Sequence, residues 1–177
     1  MHKMYYHILE CAFELISLRP LSDIKVSDII EKANVSKGSF YRYFKDKFDC
    51  ISSSYVNNFF KAFEQGDKSL EEAFFVHAKE IQKDKQILKN IAQSDLFLLS
   101  FSDINDAYRR YFKKILITKN PTIIENNDTL KAINYFCRTC AITLYLYGND
   151  KISNDEFDFF VSNLSEVMPH CLSGFLK

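Results

Sequence analysis

Residues 26–47 read VSDIIEKANVSKGSFYRYFKDK, and this stretch predicts two short helices joined by a tight turn. Ile29 and Ala33 are apolar positions at helical spacing, and Asn34 readily adopts the left-handed conformation with which helices end. Ser36 is then placed to cap a second helix, because a serine hydroxyl accepts a hydrogen bond from the backbone of the first turn. The pattern predicts a helix-turn-helix.

The second helix of this motif is rich in groups that hold the phosphates of duplex DNA, namely cations, hydroxyls and a free helix N-terminus. Four cations and one acid lie between Lys37 and Lys47. Lys+Arg and Asp+Glu are each 23 over the whole chain, so this surplus is local. A basic helix face is also what a solvated surface presents. A helical interaction or ligand-carrier protein without DNA binding is therefore a competing interpretation.

Glycine and proline are scarce, at four and three in 177 residues, which favours long helices over a sheet protein rich in turns. Apolar residues recur at helical spacing along the chain, and we expect an all-α fold of about nine helices. A first helix over about 4–18 would form the third wall of a helix-turn-helix head, residues 1–47. Residues 48–177 would form a helical body, in which we expect the last two helices at about 127–147 and 153–175.

The motif closely resembles the DNA-binding signature of TetR/AcrR-type transcriptional regulators. The shared pattern is Val-Ser, then Lys-Gly-Ser, an apolar residue, Tyr, Arg, Tyr and Phe, with a Lys after a two-residue gap. The resemblance implies that the second helix enters the major groove, with its exposed face reading DNA and its flanks clamping phosphates. The residues implied or placed at this DNA interface are Ser27, Ser36, Lys37, Gly38, Ser39, Tyr41, Arg42, Tyr43 and Lys47. Phe40 and Phe44 are expected in the core instead.

The same resemblance implies two further sites in the body. One is a pocket for an unidentified small-molecule effector, lined by Phe74, His77, Phe97, Phe101, Tyr108 and Tyr111. The other is a homodimer interface on the last two helices, formed by Phe136, Cys140, Leu144, Phe157, Phe160, Leu164 and Met168. An aromatic stripe is also what an ordinary core shows, so the pocket has a structural alternative.

Several function classes find no support in the sequence. The N-terminus lacks the apolar run of a signal peptide, and no stretch is long and apolar enough to cross a membrane. Cys137 and Cys140 form a CxxC, but they lie within a helical apolar stripe with no further metal ligands at suitable spacing. We expect small buried thiols, no metal, no cofactor, no enzymatic activity and a cytoplasmic location.

The function implied by the resemblance is a DNA-binding transcriptional regulator. We expect a ligand-responsive repressor that binds a near-palindromic operator as a homodimer, because one head makes too few contacts for useful specificity. The alternatives are a transcriptional activator and a regulator that responds to a protein partner.

Overall fold

Helices carry nearly all of the regular structure in the computed structural model of the chain. The residues that it describes are 2–64, 78–82, 85–92, 102–106, 108–110, 113, 117 and 126–168. No strand is present within these ranges, and the expected all-α fold with a helix-turn-helix head on a helical body is confirmed.

The head is built from three helices, and a fourth leads out of it. Their bounds are α1 His2–Leu18, a 3-10 helix Leu21–Asp23, α2 Val26–Ala33, α3 Lys37–Tyr43 and α4 Lys47–Glu64. The Asp46 side chain accepts the backbone N–H of Asp49 at 2.9 Å, which caps α4 as its sequence predicts. Ile8, Ala12 and Ile16 of α1 are fully buried, so α1 lies at the centre of the head rather than on its flank.

The body contains the remaining described helices. They are α5 Gln86–Ala92, α6 Asn127–Gly148, α7 Asn154–Ser162 and α8 Leu164–Val167, with shorter helical stretches at 78–82, 102–106 and 108–110. Asn126 caps α6 by accepting the N–H groups of Asp128 and Thr129 at 2.9 and 3.1 Å. Ser153 and Glu156 form the predicted capping box at the start of α7.

The C-terminal end of α1 is completed by a side chain from the body. The carbonyl of Ile16 lies four residues before Pro20, which has no N–H to donate, so the helix itself cannot satisfy this acceptor. Asn90 of α5 donates its amide to that carbonyl at 2.7 Å, in a site where Asn90 is 3% exposed. Gln86 in turn donates to the Asn90 Oδ1 at 2.8 Å and fixes the amide orientation. Head and body are therefore joined by a buried polar contact.

Helix α6 ends in close contact with α5. A Cβ atom at Gly148 would lie 3.1 Å from the Leu88 Cβ and 3.2 Å from the Leu88 carbonyl oxygen, so a side chain at this position would force the two helices apart. Lys85, just before α5, and Lys89 of α5 pair with Asp150 at 2.7 and 3.0 Å, just beyond the end of α6. Glycine therefore allows α5 and α6 to approach closely.

The predicted last helix over about 153–175 is wrong in its length, because it is broken after Ser162. Asn163 donates its side-chain amide to the Phe159 carbonyl at 2.8 Å, and such local bonds compete with helix continuation. The short α8 then ends at Val167, and Met168 is extended, as expected for a residue that precedes proline. The sequence also predicts that a helix stops at Gly66 and that a capping box at 69–72 opens the next one, and both lie outside the described residues.

Candidate nucleic-acid interface

The turn between α2 and α3 has the geometry that its sequence predicts. Asn34 adopts a left-handed conformation, with φ 49° and ψ 50°, and Val35 donates its N–H to the Ile30 carbonyl at 3.1 Å. Ser36 then caps α3 by accepting the backbone N–H of Ser39 at 3.0 Å. These bonds set the direction in which α3 leaves the turn.

One side of α3 is fixed by aromatic packing. Phe40 and Phe44 are 0% and 2% exposed, with ring centroids 5.5 Å apart, and this confirms their predicted place in the core. Tyr5 of α1 stacks on Phe44 at 5.2 Å and meets Tyr43 edge-on at 5.8 Å. The opposite side of α3 therefore faces away from the protein.

That outward side carries most of the residues implied for DNA contact. Tyr41 is 47% exposed, and its ring rests edge-on against Phe40 at 5.3 Å. Lys37 and Arg42 are exposed, and within the described part of the chain neither pairs with a carboxylate. The other members of the predicted set with exposed positions are Ser27, Ser36 and Gly38, whereas Ser39 and Tyr43 are partly buried.

Gly38 has no structural reason of its own to be glycine. A Cβ built there meets only the Ser36 Oγ, at 3.9 Å, which is an ordinary contact distance. Its φ is not in the left-handed region, and it lies in the first turn of α3, where glycine is less favourable than alanine. The packing of the protomer therefore leaves the space beside Gly38 open.

Lys47 occupies a different place from the one that the resemblance implies. Its ammonium donates to the carbonyls of Leu21 at 2.9 Å and Ile24 at 2.6 Å, with Ser22 at 3.5 Å. Burial lowers the pKa of this ammonium, partly offset by the carboxylates of Asp23 and Asp28. In this geometry Lys47 holds the 3-10 helix against α4, a role that its position in the sequence did not reveal.

Three of the other head cations are engaged with carboxylates. Lys32 pairs with Glu14 at 2.8 Å, and Arg19 pairs with Asp28 at 2.7 Å. The ammonium of Lys45, just after α3, bonds to Asp103 of the body. Lys37 and Arg42 on the outward face thus differ from these neighbours in lacking an acidic partner among the described residues.

An open groove of about 1030 Å³ lies beside this face, between α1 and the turn. Its walls include Tyr6, His7, Asn34 and Arg42. The ring nitrogen Nε2 of His7 lies 3.2 Å from the Ala33 carbonyl and so links α1 to the end of α2. Sequence reasoning missed this groove, since its walls come from segments about thirty residues apart.

The predicted effector pocket falls mostly outside the described residues. This applies to Phe74, His77, Phe97, Phe101 and Tyr111. Tyr108 is described and is fully buried, and burial raises the pKa of its phenol. A separate apolar cavity of about 20 Å³, with space for about one water molecule, is lined by Tyr55, Leu88, Ile91, Ala92, Ile104, Ala141, Leu144 and Tyr145.

The predicted interface residues are mostly in the protomer's own core. Phe136, Cys140, Phe157, Leu164 and Met168 are at most 5% exposed, so the surface of a single chain does not present them. Leu144 and Phe160 are partly buried. An apolar stripe predicts that one face of a helix is buried. It does not predict whether the residues that bury it belong to the same chain or to a partner.

The exposed apolar side chains of α6 and α7 are different residues. Tyr135, Ile142 and Phe159 are 69%, 47% and 71% exposed. Tyr135 and Ile142 are seven positions apart and so share one face of α6. Thr139 lies between them, and its hydroxyl donates to the Tyr135 carbonyl at 3.0 Å rather than outward.

The CxxC cysteines have the environment of packing residues. Cys137 and Cys140 are buried free thiols, and burial raises the pKa of Cys137 to about 12. Their thiolates are disfavoured, so neither has the character of a reactive cysteine. Over the described ranges no three His, Cys, Asp or Glu side chains cluster as metal ligands, and no helix is long and apolar enough to span a membrane.

Comparison with known proteins agrees with this geometry. Residues 8–52 match the family described as "Bacterial regulatory proteins, tetR family". An uncharacterised HTH-type transcriptional regulator of Bacillus subtilis (strain 168), YvdT, is 44% identical over 43 residues. That match covers 24% of this chain and 22% of the relative, so it concerns the head alone.

The fold of the whole chain resembles the crystal structure of a TetR transcriptional regulator from Rhodococcus sp. RHA1. The TM-score is 0.60 at 14% identity, over 95% of this chain and 96% of the other. Head, turn and body together therefore share the fold of that regulator. In sequence, the likeness to the TetR family lies in the head, at residues 8–52. The proteins matched in sequence and in fold are all described as transcriptional regulators.

Proposed function

We propose that the protein is a homodimeric repressor that binds a near-palindromic operator through α3 and releases it when an effector binds the body. The main support is the outward side of α3, where Gly38 is open to close approach and Lys37 and Arg42 lack acidic partners among the described residues. A backbone that can approach closely, flanked by unengaged cations, suits the floor of a major groove.

DNA binding is tested with fragments selected from the source genome and measured by fluorescence anisotropy over a range of salt concentrations. Lys37→Ala and Arg42→Ala should each weaken binding, and a lost phosphate contact should reduce the slope of log K against log salt by about 0.9. If Arg42 reads a base instead, its loss should relax sequence preference at one position. A wild-type protein that binds no fragment would contradict the proposal.

Dimerisation is supported by the exposed apolar residues of α6 and α7. Two heads double the number of contacts, and a two-fold dimer matches an operator with two-fold symmetry. Tyr135, Ile142 and Phe159 are the side chains that a partner would cover. This assignment replaces the buried residues that the sequence pattern indicated.

The dimer proposal is tested by Ile142→Glu with Phe159→Glu, which should produce monomers in analytical ultracentrifugation and weaken operator binding. Leu18→Glu is the matched control, because Leu18 is 79% exposed on α1 and carries a comparable apolar side chain. The control should keep the oligomeric state of the wild type. A dimeric double variant would refute this interface.

Effector control would act as a population shift between head positions that fit the operator and positions that do not. An effector can move that equilibrium only by the difference in its affinity for the two states. Support from the described residues is confined to buried Tyr108 and the small apolar cavity at the α5–α6 contact. A compound screen by thermal shift, followed by operator release, tests this; operator binding that increases with the compound would favour an activator.

A further inference from the structure

The turn that follows α3 is held by the body as well as by the head. The Lys45 ammonium bonds to Asp103, which lies in the helical stretch 102–106. The Asp103 side chain is 6% exposed, whereas that of Lys45 is 60% exposed. A carboxylate removed from water depends on its cation, because without a partner its desolvation is uncompensated. Movement of the turn away from the body would leave this carboxylate buried and unpaired.

A second carboxylate binds the same turn from α4. Asp49 Oδ2 accepts the backbone N–H of Lys45 at 3.1 Å, and Asp49 Oδ1 lies 3.3 Å from the guanidinium of Arg110. Arg110 is seven residues after Asp103 and lies in the next described helical stretch, 108–110. Contacts thus run from Asp103 to Lys45, from Lys45 to Asp49 and from Asp49 to Arg110, and we call these four residues the exit-turn clamp.

The clamp continues to the aromatic packing beneath α3. Arg110 donates to the Ser53 Oγ at 2.8 Å. Burial raises the pKa of the Tyr5 phenol, and the neighbouring Arg110 and Ser53 partly offset this rise. The Tyr5 ring stacks on Phe44, the residue at the C-terminal end of α3. Arg110 therefore reaches α3 by two routes, one through the exit turn and one through Tyr5.

We propose that Asp103 and Arg110 are positioning residues for the DNA-reading helix, holding α3 at a fixed angle to the body through the exit-turn clamp. This inference rests on the proposed function, since a position of α3 matters only if α3 reads DNA. Neither residue lies on the outward face of α3. They act by keeping Lys45, Phe44 and hence α3 in one arrangement relative to the body.

The test is operator binding by intact Arg110→Gln protein, with Arg109→Gln as the matched control. Arg109 pairs with Asp106 at 3.2 Å and takes no part in the clamp. Arg110→Gln should raise the operator Kd by about 3- to 30-fold, the range typical of residues that couple two sites. The slope of log K against log salt should not change, because no phosphate contact is lost. Arg109→Gln should bind as wild type, and Arg110→Lys should recover part of the loss through Asp49.

A double-mutant cycle separates the clamp from a general loss of stability. Tyr5→Phe removes only the hydroxyl that meets Ser53, so combining it with Arg110→Gln should cost less than the two single effects together. Asp103→Asn keeps the shape of the side chain and should weaken binding in the same direction. This variant decides the matter if Arg110→Gln fails to fold.

The outcomes distinguish this inference from the proposed function. If wild-type protein binds no operator, the proposed function fails. If wild-type protein binds and the folded Arg110 and Asp103 variants bind equally well, the positioning role alone is refuted. A salt slope reduced by about 0.9 in Arg110→Gln would also refute it, since Arg110 would then be a phosphate ligand.

Discussion

Replacing Gly38 by alanine should make the protein more stable and worse at binding DNA. The added Cβ has room, because its nearest neighbour in the protomer is the Ser36 Oγ at 3.9 Å. Alanine is favoured over glycine in a helix by about 0.5–1 kcal/mol, partly because it loses less backbone entropy on folding. For a chain of this size each kcal/mol changes Tm by about 2–4 °C, so Gly38→Ala should raise Tm by about 1–4 °C.

Operator binding should respond in the opposite direction. The methyl group would hold α3 away from the base edges, and each base contact that is lengthened costs about 1–3 kcal/mol. We therefore expect the operator Kd to rise at least about tenfold. Thermal denaturation and anisotropy with the same protein preparation give both numbers.

Gly148→Ala is the matched control, since it is the same substitution in the same type of element with the opposite steric setting. Its Cβ would lie 3.1 Å from Leu88, so α5 and α6 must separate, and overpacking of this kind costs about 1–3 kcal/mol. Stability should fall while the outward face of α3 is untouched. The reasoning is refuted if Gly38→Ala binds the operator as wild type, or if it loses stability.

Three further substitutions test contacts described above. Lys47→Met should destabilise the fold by about 1–3 kcal/mol in urea denaturation, because the Leu21 and Ile24 carbonyls lose their donor; a loss of DNA affinity alone would assign Lys47 to a phosphate. Asp28 accepts the Lys25 backbone N–H at 3.0 Å, and this bond, with the nearby Arg19, lowers the pKa of its carboxyl. The ionised Asp28 carboxyl contributes its full stabilisation above its unfolded-state pKa of about 3.9, and this contribution is lost as pH falls through its lower folded-state pKa. In Asp28→Asn the free energy of unfolding should therefore fall less steeply at acid pH. Asn90→Leu should lower the free energy of unfolding by about 1–3 kcal/mol, because it leaves the Ile16 carbonyl buried without a donor. An unchanged midpoint of urea denaturation would contradict that account.

The head was predictable from its sequence because its signals are local. The left-handed Asn34, the Ser36 cap, the Asp46 cap and the inward Phe40 and Phe44 each depend on neighbours within a few residues along the chain. Such signals do not depend on contacts with distant parts of the chain. They fix helix bounds and the inner face of α3.

The body contacts were not predictable in the same way, because they join distant parts of the chain. Lys45 and Asp103 are 58 residues apart, and Asn90 meets Ile16 across 74. The predicted interface residues show the same limit, since a helical period cannot say which surface covers Phe136 or Leu164. The hydrogen bonds of the Lys47 ammonium were not predictable either, because its three carbonyl partners lie more than twenty residues earlier in the chain.

The bond from Asn90 to the Ile16 carbonyl bears on how such a regulator can be re-engineered. Pro20 deprives α1 of an internal donor, so the last turn of α1 is complete only when α5 is present. Residues 1–47 cut from the chain would expose this carbonyl and the α1 surface that α4 covers. A fusion protein that contains this head would therefore also need Asn90, Gln86 and the part of α4 that packs on α1. The smallest transferable unit is larger than the helix-turn-helix motif.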